Sequence, residues 1–467
     1  MPSNLPRPSP LEYIDCGTIA PNASGPKRKI FTQADIDPWF SSKAYTDLET
    51  YTLELCHSVQ GKSIEEDCYE SEVTLKAVAF VKEAEQWIDE IPLQTTPQRF
   101  GNKAFRDWLE RVKNRNDEFQ HSLLSSTSLG SIVPELSFNF IASFGSGARL
   151  DYGTGHELSF LLWLLSLRLV GVLTARDNQA VVLRVFAAYI DLVRKLQRVF
   201  KLEPAGSKGV WGLDDHQHLV YLFGASQLID HPTFRPSQIL QPHTLLPLST
   251  PYLFPSSILH IHTLKTGPFS EHSPLLHQIA STVPNWSKVQ TGLWKMYREE
   301  VLAKVPVVQH LRFGSTIRWI RSQDCGELGS SRDGTEGDDD GDDDQDTASE
   351  HDQRANVVRA PWIHEPLTNQ RAGMTTLSHA AARRTPQAVP PSSGSTTQFA
   401  PPTLFPTRAP RTTVSSMAAG SSAPNRRTLA PDAGAVDRNV SPLGVLEGAT
   451  TTRTSASLAT TKAPWAT

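Results

Sequence analysis

The chain has 467 residues, a formal net charge of −4 and 39% hydrophobic residues. That length admits a sizeable core, while the near-neutral total averages unlike parts and implies neither a nucleic-acid nor a membrane partner. Four scattered cysteines (Cys16, Cys56, Cys68 and Cys325) without CxxC spacing indicate free thiols in a reducing compartment. The N-terminus lacks the apolar core of a signal peptide, so the protein is expected to be soluble, cytoplasmic and nuclear.

Residues 1–28 are Pro-rich and are expected to be loose. Helical periodicity then dominates. Tyr45, Leu48, Tyr51, Leu55 and Val59 form an amphipathic stripe. Val73, Ala77, Phe80, Val81, Ala84, Trp87, Ile88 and Ile91 form a second, stopped by Pro92. Phe105, Trp108, Leu109 and Val112 continue the pattern. Leu158 to Leu173 is the most apolar run, but it carries Arg168 and is too short to span a bilayer comfortably. It predicts a helix buried on nearly all sides. A long helix is predicted from Asn178 to Leu202, and another from Trp286 to Val305, closed by Pro306. Alternating strand patterns are scarce. The predicted fold is therefore all-α, one multi-helix domain over 29–322 with a loop-built cleft. Beyond Gln323 an acidic run (EGDDDGDDDQD) precedes a Ser/Thr/Pro/Arg-rich stretch. Such sequence buries too little apolar surface to offset its ordering entropy, so 323–467 is expected to be a disordered tail.

The most informative segment is Arg149 to Glu157, RLDYGTGHE. Gly153 and Gly155 let a ligand approach the main chain. Thr154 and Gly155 sit where a helix begins, with free N–H groups and the positive end of its dipole. Arg149 beside them is a fork-shaped phosphate partner. An alternative is a capped helix start with an internal Arg149–Asp151 ion pair. GVWGLDDHQH brings Asp214, Asp215, His216 and His218 together, but adjacent carboxylates on a helical segment do not converge on one zinc ion. QGKS at Gln60 to Ser63 lacks the earlier glycine of a Walker motif, and SFGSG is not a nucleophile elbow. The pair His260 and His262 reads as surface histidines. His156, Glu157, Glu271 and His272 read as a polar network or as proton-transfer groups.

Several motifs occur together and in order: FGNKAFRDW (Phe100 to Trp108), SFGSGARLDYGTGHE (Ser143 to Glu157), EPAGSKGVWGLDD (Glu203 to Asp215), FGASQLIDHP (Phe223 to Pro232), KTGPFSEHSP (Lys265 to Pro274) and VPVVQHLRFGS (Val305 to Ser315). In these motifs, from Phe31 to Ser315, the chain resembles the phosphotyrosyl phosphatase activator family, the activators of protein phosphatase 2A. The long tail resembles fungal-type members. The resemblance implies a peptidyl-prolyl cis-trans isomerase that activates phosphatase 2A-type catalytic subunits with ATP and Mg2+. It implies nucleotide contacts from Arg149, Thr154, Gly155, Pro306, Val307 and His310. Magnesium contacts are implied for the Gly209 carbonyl and the Asp215 carboxylate. The sequence departs from the family at His216 and His218, where aromatic residues are usual, and at Val220, where Pro is usual. Isomerisation requires a pocket that favours the twisted amide against a barrier of about 18–20 kcal/mol. Asp151, Tyr152, Trp211, Gly212, Lys265 and Gly267 are the expected lining of that pocket, with a proline-containing segment as substrate. A phosphatase-binding chaperone without isomerase turnover is the alternative.

Overall fold

The computed structural model describes residues 3–332, apart from 16, 18, 20–24, 97, 125 and 126. The tail expected beyond Arg332 lies outside the described residues. Helices dominate, as the periodicity predicts. Strand β1 (Lys27–Arg28) leads into α1 (Ile36–Ser41), α2 (Lys43–Ser58), α3 (Glu72–Glu90), α4 (Ala104–Leu123) and α5 (Val133–Ala142). Serine side chains start two of them: Ser42 accepts the Tyr45 N–H at 3.1 Å and Ser71 that of Thr74 at 3.3 Å. Strand β2 (Asp151–Tyr152) opens directly into α6 (Thr154–Leu169), the apolar run of the sequence. Every side chain of α6 from Glu157 onward is buried, because α5, α2 and the segment after Val305 enclose it.

Next come α7 (Asn178–Ala180) and α8 (Ala187–Phe200), which packs on α3. The two join through a π turn at Val181–Phe186, so the predicted long helix is one rod with an inserted residue. Strand β3 (Glu203–Pro204) pairs parallel with β2. After it follow α9 (Leu219–Gln227), α10 (Pro242–Leu245), α11 (Leu253–Leu264), α12 (Phe269–His272), α13 (Pro274–Thr282) and α14 (Trp286–Tyr297). A Cβ on Gly224 would lie 2.4 Å from the Phe254 amide nitrogen; glycine there lets α9 and α11 meet backbone to backbone. The last predicted helix ends earlier than its pattern suggested. It passes into a second π turn at Arg298–Leu302, and Pro306 opens α15 (Val305–Val308) instead of closing α14. Proline suits a first helical turn, where its missing N–H costs nothing. Strand β4 (Arg312–Phe313) returns antiparallel to β1.

The core is aromatic. Phe160 stacks on Tyr189 at 3.7 Å, and Phe119, Phe140 and Trp163 pack together. Four buried indole N–H groups find a carbonyl acceptor: Trp39 on Leu302 O, Trp108 on Ala84 O, Trp163 on the Gln120 side chain and Trp286 on Phe234 O.

Both expected domain boundaries shift. Of the segment expected to be loose, residues 3–15 strap across the domain and bury Leu5, Leu11 and Ile14. The Ile14 N–H donates to Leu169 O at 2.8 Å, and the Tyr13 ring lies 4.9 Å from the Arg168 guanidinium. At the other end the ordered chain continues past Ser322. Trp319 Nε1 donates to Leu328 O at 3.1 Å, Ser330 Oγ to Lys29 O, and Ser331 donates twice to the buried Asp35. Sparse apolar anchors are enough in both segments, because main-chain groups supply the hydrogen bonds.

Candidate functional site

The RLDYGTGHE segment turns sharply before α6. Leu150 takes a left-handed φ of +58°, which costs roughly 1–2 kcal/mol for a side chain with a Cβ. Arg149 Nε then reaches Asp151 Oδ2 at 2.8 Å, the internal ion pair of the alternative reading. His156 Nε2 stands 3.8 Å from Asp151 Oδ1. Burial alone would raise the Asp151 pKa, but the bonds from His156 and Arg149 outweigh it and hold the carboxyl below its usual value. The His156 and Glu157 amides turn back onto the Gly153 carbonyl. Thr154 and Gly155 form the first turn of α6, where amides point outward. A Cβ on Gly155 would lie 3.7 Å from Val307 O and 3.9 Å from Val307 Cγ1. The structure thus brings the start of α6 against the Pro306–Val307 turn. His310 lies two residues beyond α15 and is exposed.

A second cluster forms around Asp215. Its Oδ1 accepts from Ser207 Oγ at 2.5 Å, and its Oδ2 pairs with Lys265 Nζ at 2.5 Å. Desolvation pushes this carboxyl up, but the Lys265 and Ser207 bonds prevail and keep it below the ordinary carboxylate range. Ser207 Oγ also accepts the Gly209 N–H at 2.9 Å, and Gly209 takes a left-handed φ of +57°. The loops carrying Lys265 and Gly209–Gly212 therefore meet directly, through an ion pair, instead of only facing each other. Gly267, at φ +101°, turns the chain just after Lys265. The short helical turn Gly209–Trp211 rests near α13, and Trp211 itself is 79% exposed.

The two clusters share one loop. A Cβ on Gly153 would lie 2.5 Å from Ala205 O, so β2 and the 203–208 segment touch main chain to main chain. Lys208 in that segment pairs with Glu300 of the second π turn, just before α15. Of the expected lining, Tyr152 is a correction. It is fully buried and its phenol shares a 2.8 Å hydrogen bond with the Tyr189 phenol, which in turn donates to Ser143 O at 2.7 Å.

Other readings resolve as structure. Glu157 Oε2 accepts the His218 and Leu219 amides at 2.8 and 2.9 Å and so caps α9. Its Oε1 has no hydrogen-bond partner among the described residues. Burial pushes its pKa up to about 7, although those amides oppose the shift. His218 Nε2 donates to Leu293 O at 3.0 Å, and burial lowers its pKa to about 4. Asp214 accepts the His216 and Gln217 amides and the Tyr221 hydroxyl. No group of three metal-ligating side chains occurs among the described residues. His260 and His262 lie on α11 and are partly buried, not surface residues. The sequence reading missed Ser207 and Glu300. Ser207 carried a local signal, a hydroxyl two residues before a glycine; Glu300 carried none. No described helix is long and apolar enough to cross a membrane.

Comparison with known proteins gives a consistent picture. Residues 26–319 match the family described as Phosphotyrosyl phosphate activator (PTPA) protein. The chain is 39% identical over 293 residues to the probable serine/threonine-protein phosphatase 2A activator 1 of Dictyostelium discoideum, covering 62% of this chain and 90% of that one. It is also 39% identical to the serine/threonine-protein phosphatase 2A activator of Drosophila melanogaster, covering 62% of this chain and 72% of that one. Among solved structures it is similar to the crystal structure of the PP2A phosphatase activator Ypa1 PTPA1, with a TM-score of 0.60, 35% identity, and coverage of 67% of this chain and 100% of that chain.

Proposed function

The chain belongs to the phosphotyrosyl phosphate activator family, and from that premise we propose that it activates a protein phosphatase 2A-type catalytic subunit, as a peptidyl-prolyl cis-trans isomerase that uses ATP and Mg2+. One observation carries the reading. The first turn of α6, the Pro306–Val307 turn and the Asp215–Lys265 pair are drawn together through the 203–208 loop.

The residues fit an anionic nucleotide. Thr154 and Gly155 offer amides at the positive end of a 16-residue helix, and Arg149 stands beside them, partly exposed. Pro306 and Val307 supply an apolar wall, with His310 at its rim. Asp215, kept ionised by its neighbours, and the Gly209 carbonyl would hold Mg2+. The Lys265 ammonium already stands at 2.5 Å from Asp215, a position that accepts a cation. When bound, Mg2+ would neutralise phosphate charge. Asp151 anchors Arg149, and Ser207 fixes both the Asp215 carboxylate and the Gly209 turn.

For isomerisation, the exposed Trp211 and the neighbouring Gly212 and Gly267 turns offer an apolar face and open backbone to a proline-containing segment. No nucleophile is required, only a surface complementary to the twisted amide. A second reading, a chaperone that grips the phosphatase without isomerase turnover, is favoured by one fact. Trp211 is 79% exposed, so its ring offers a flat apolar surface to a protein partner.

The test combines two assays on the double variant Trp211→Ala, Lys265→Ala. Inactive phosphatase catalytic subunit is incubated with it, with and without ATP and Mg2+, and prolyl-peptide isomerisation is followed in parallel. Joint loss of both activities is expected. Loss of activation alone selects the chaperone reading. Retention of both, with circular dichroism showing a folded chain, removes the cluster from the function. Cytoplasmic and nuclear residence is part of the same proposal, tested by imaging a fluorescent fusion.

A further inference from the structure

Residues 3–15 lie across the domain as a bound peptide lies in a groove. The segment contains no helix or strand. Pro6, Pro8 and Pro10 fix φ and remove N–H groups that would otherwise need partners. Other main-chain groups meet the domain at separate points. Pro6 O lies 3.0 Å from His57 Nε2, the Leu11 N–H donates to Glu54 Oε1 at 3.3 Å, and the Ile14 N–H donates to Leu169 O at 2.8 Å. Ser3 Oγ donates to Gln290 Oε1 at 2.7 Å. Leu5, Leu11 and Ile14 are buried, while Pro6, Arg7, Ser9, Pro10 and Glu12 between them are exposed. Main-chain hydrogen bonds with spaced apolar anchors are how domains read extended peptides. The floor is built by α2, the end of α6 and α14, and none of the contacting residues belongs to the clusters around Asp151 and Asp215.

The occupant leaves one demand of this floor unmet. Arg168 on α6 is 3% exposed, and Glu54 is its one ion-pair partner among the described residues, 3.5 Å from NH2. Its Nε and NH1 have no hydrogen-bond partner there. Glu54 is shared, because its Oε1 takes the Leu11 N–H and its Oε2 accepts from Asn178 Nδ2 at 3.1 Å. Asp177 next to Asn178 gives its Oδ2 to the Thr174 N–H and hydroxyl and forms no bond with Arg168. The strap covers the guanidinium with a ring. Tyr13, itself 56% exposed, lies 4.9 Å away and rests against Gly171. A ring face attracts a cation, but a carboxylate would accept N–H bonds that the ring leaves unmade.

We propose that the groove under residues 3–15 is a docking site for extended, proline-rich peptide that sets a carboxylate over Arg168, and that the strap is its resident, displaceable occupant. Proline pre-forms the extended shape, so little conformational entropy is lost on binding. Aliphatic side chains at the spacing of Leu5, Leu11 and Ile14 fill the three seats. The carboxylate supplies the acceptor that Tyr13 lacks. The tethered strap competes at a local concentration on the order of millimolar. It therefore excludes weak ligands and yields to a partner that satisfies Arg168. Docking here involves none of the residues of the phosphatase reading and does not depend on it.

The test uses full-length chains and fluorescein-labelled, C-terminally amidated peptides of residues 3–15, followed by anisotropy. The natural peptide is compared with its Tyr13→Glu, Tyr13→Gln and Ser9→Glu forms. The wild-type chain is set against one carrying Leu11→Asp with Ile14→Asp, which charges two buried anchors and detaches the strap. The natural peptide is expected to bind the detached chain at least about tenfold more tightly than the wild type, where the tethered strap competes. On the detached chain the Tyr13→Glu peptide should bind at least about threefold more tightly than Tyr13→Gln, the advantage of a charged over a neutral acceptor. The Ser9→Glu peptide carries the same added charge away from Arg168 and should gain nothing over the natural one. If the detached chain does not fold by circular dichroism, the contrast is read in cis, where full-length Tyr13→Glu should melt at least about 1 °C above full-length Tyr13→Gln. No binding to a folded detached chain, equal binding to both chains, no advantage of Glu over Gln at position 13, or an equal gain from Ser9→Glu overturns the proposal. Neither nucleotide nor phosphatase enters the assay, so its failure is separate from failure of the functional reading.

Discussion

Replacing Glu157 by Gln converts a buried ionisable cap into a neutral one. The Gln side chain keeps an oxygen for the His218 and Leu219 amides, so the start of α9 stays capped. What changes is the proton. In the folded chain Glu157 holds its proton up to about pH 7, against a reference of 4.5. Between those values the native state binds more protons than the unfolded state, so stability falls as pH rises. The gap corresponds to about 3 kcal/mol at full ionisation. Glu157→Gln removes that loss. The variant should differ from wild type by less than about 1 kcal/mol at pH 5 and be more stable by about 3 kcal/mol at pH 8. His218 works in the opposite sense, since its folded pKa is depressed to about 4 from 6.5 and its stability contribution is lost as pH falls through that range. Both chains carry His218, so it cancels in the difference. Urea unfolding at four pH values from 5 to 8 provides the measurement. A difference that does not vary with pH would falsify the assignment of Glu157 as a protonated cap.

Three further outcomes are expected. Arg149→Ala should weaken ATP binding, in the presence of the phosphatase, by about 1.5–3 kcal/mol; calorimetry that shows unchanged affinity in a folded chain removes Arg149 from the nucleotide contacts. A chain ending after Arg332 should match the full chain in thermal stability, while one ending after Ser322 should lose about 2–3 kcal/mol through the Trp319–Leu328 and Ser331–Asp35 bonds; equal melting of the two truncations would show those contacts to be idle. Gly224→Ala should destabilise by about 1–3 kcal/mol, because its methyl group would press on Phe254, and a neutral effect in urea unfolding would mean that α9 and α11 part easily.

The helical fold was legible because burial imprints a period on the sequence. The stripes on α2, α3 and α8 and the apolar length of α6 all appear where the pattern puts them. Residues whose role depends on a distant partner were less legible. Glu157 sits in a motif that suggests chemistry, yet its hydrogen-bond partner lies 61 residues away at His218. Tyr152 shares the motif with Asp151, yet its phenol is held in the core by Tyr189, 37 residues further on, a partner that nothing local signals. The strap of residues 3–15 and the 323–332 segment were misjudged for a common reason. Composition reports how much apolar surface a segment brings, not how many main-chain hydrogen bonds wait for it on the domain. At the site, the Arg149–Asp151 pair and the meeting of Gly155 with Val307 follow motifs visible in the sequence, whereas Lys208–Glu300 does not.

The two π turns give this helical scaffold a set of rotary joints. Each inserts one residue into a rod that otherwise advances about 100° per residue. Everything beyond the joint is therefore rephased by that angle relative to an uninterrupted helix. At Arg298–Leu302 the rephasing leaves Val301 and Leu302 inside while Glu300 reaches Lys208. Removing a single residue there would leave the helix intact and spin its end by a quarter turn or more, exchanging inside for outside. Length changes of one residue, harmless in a loop, would at these two points act as a clutch between the buried scaffold and the loops it carries.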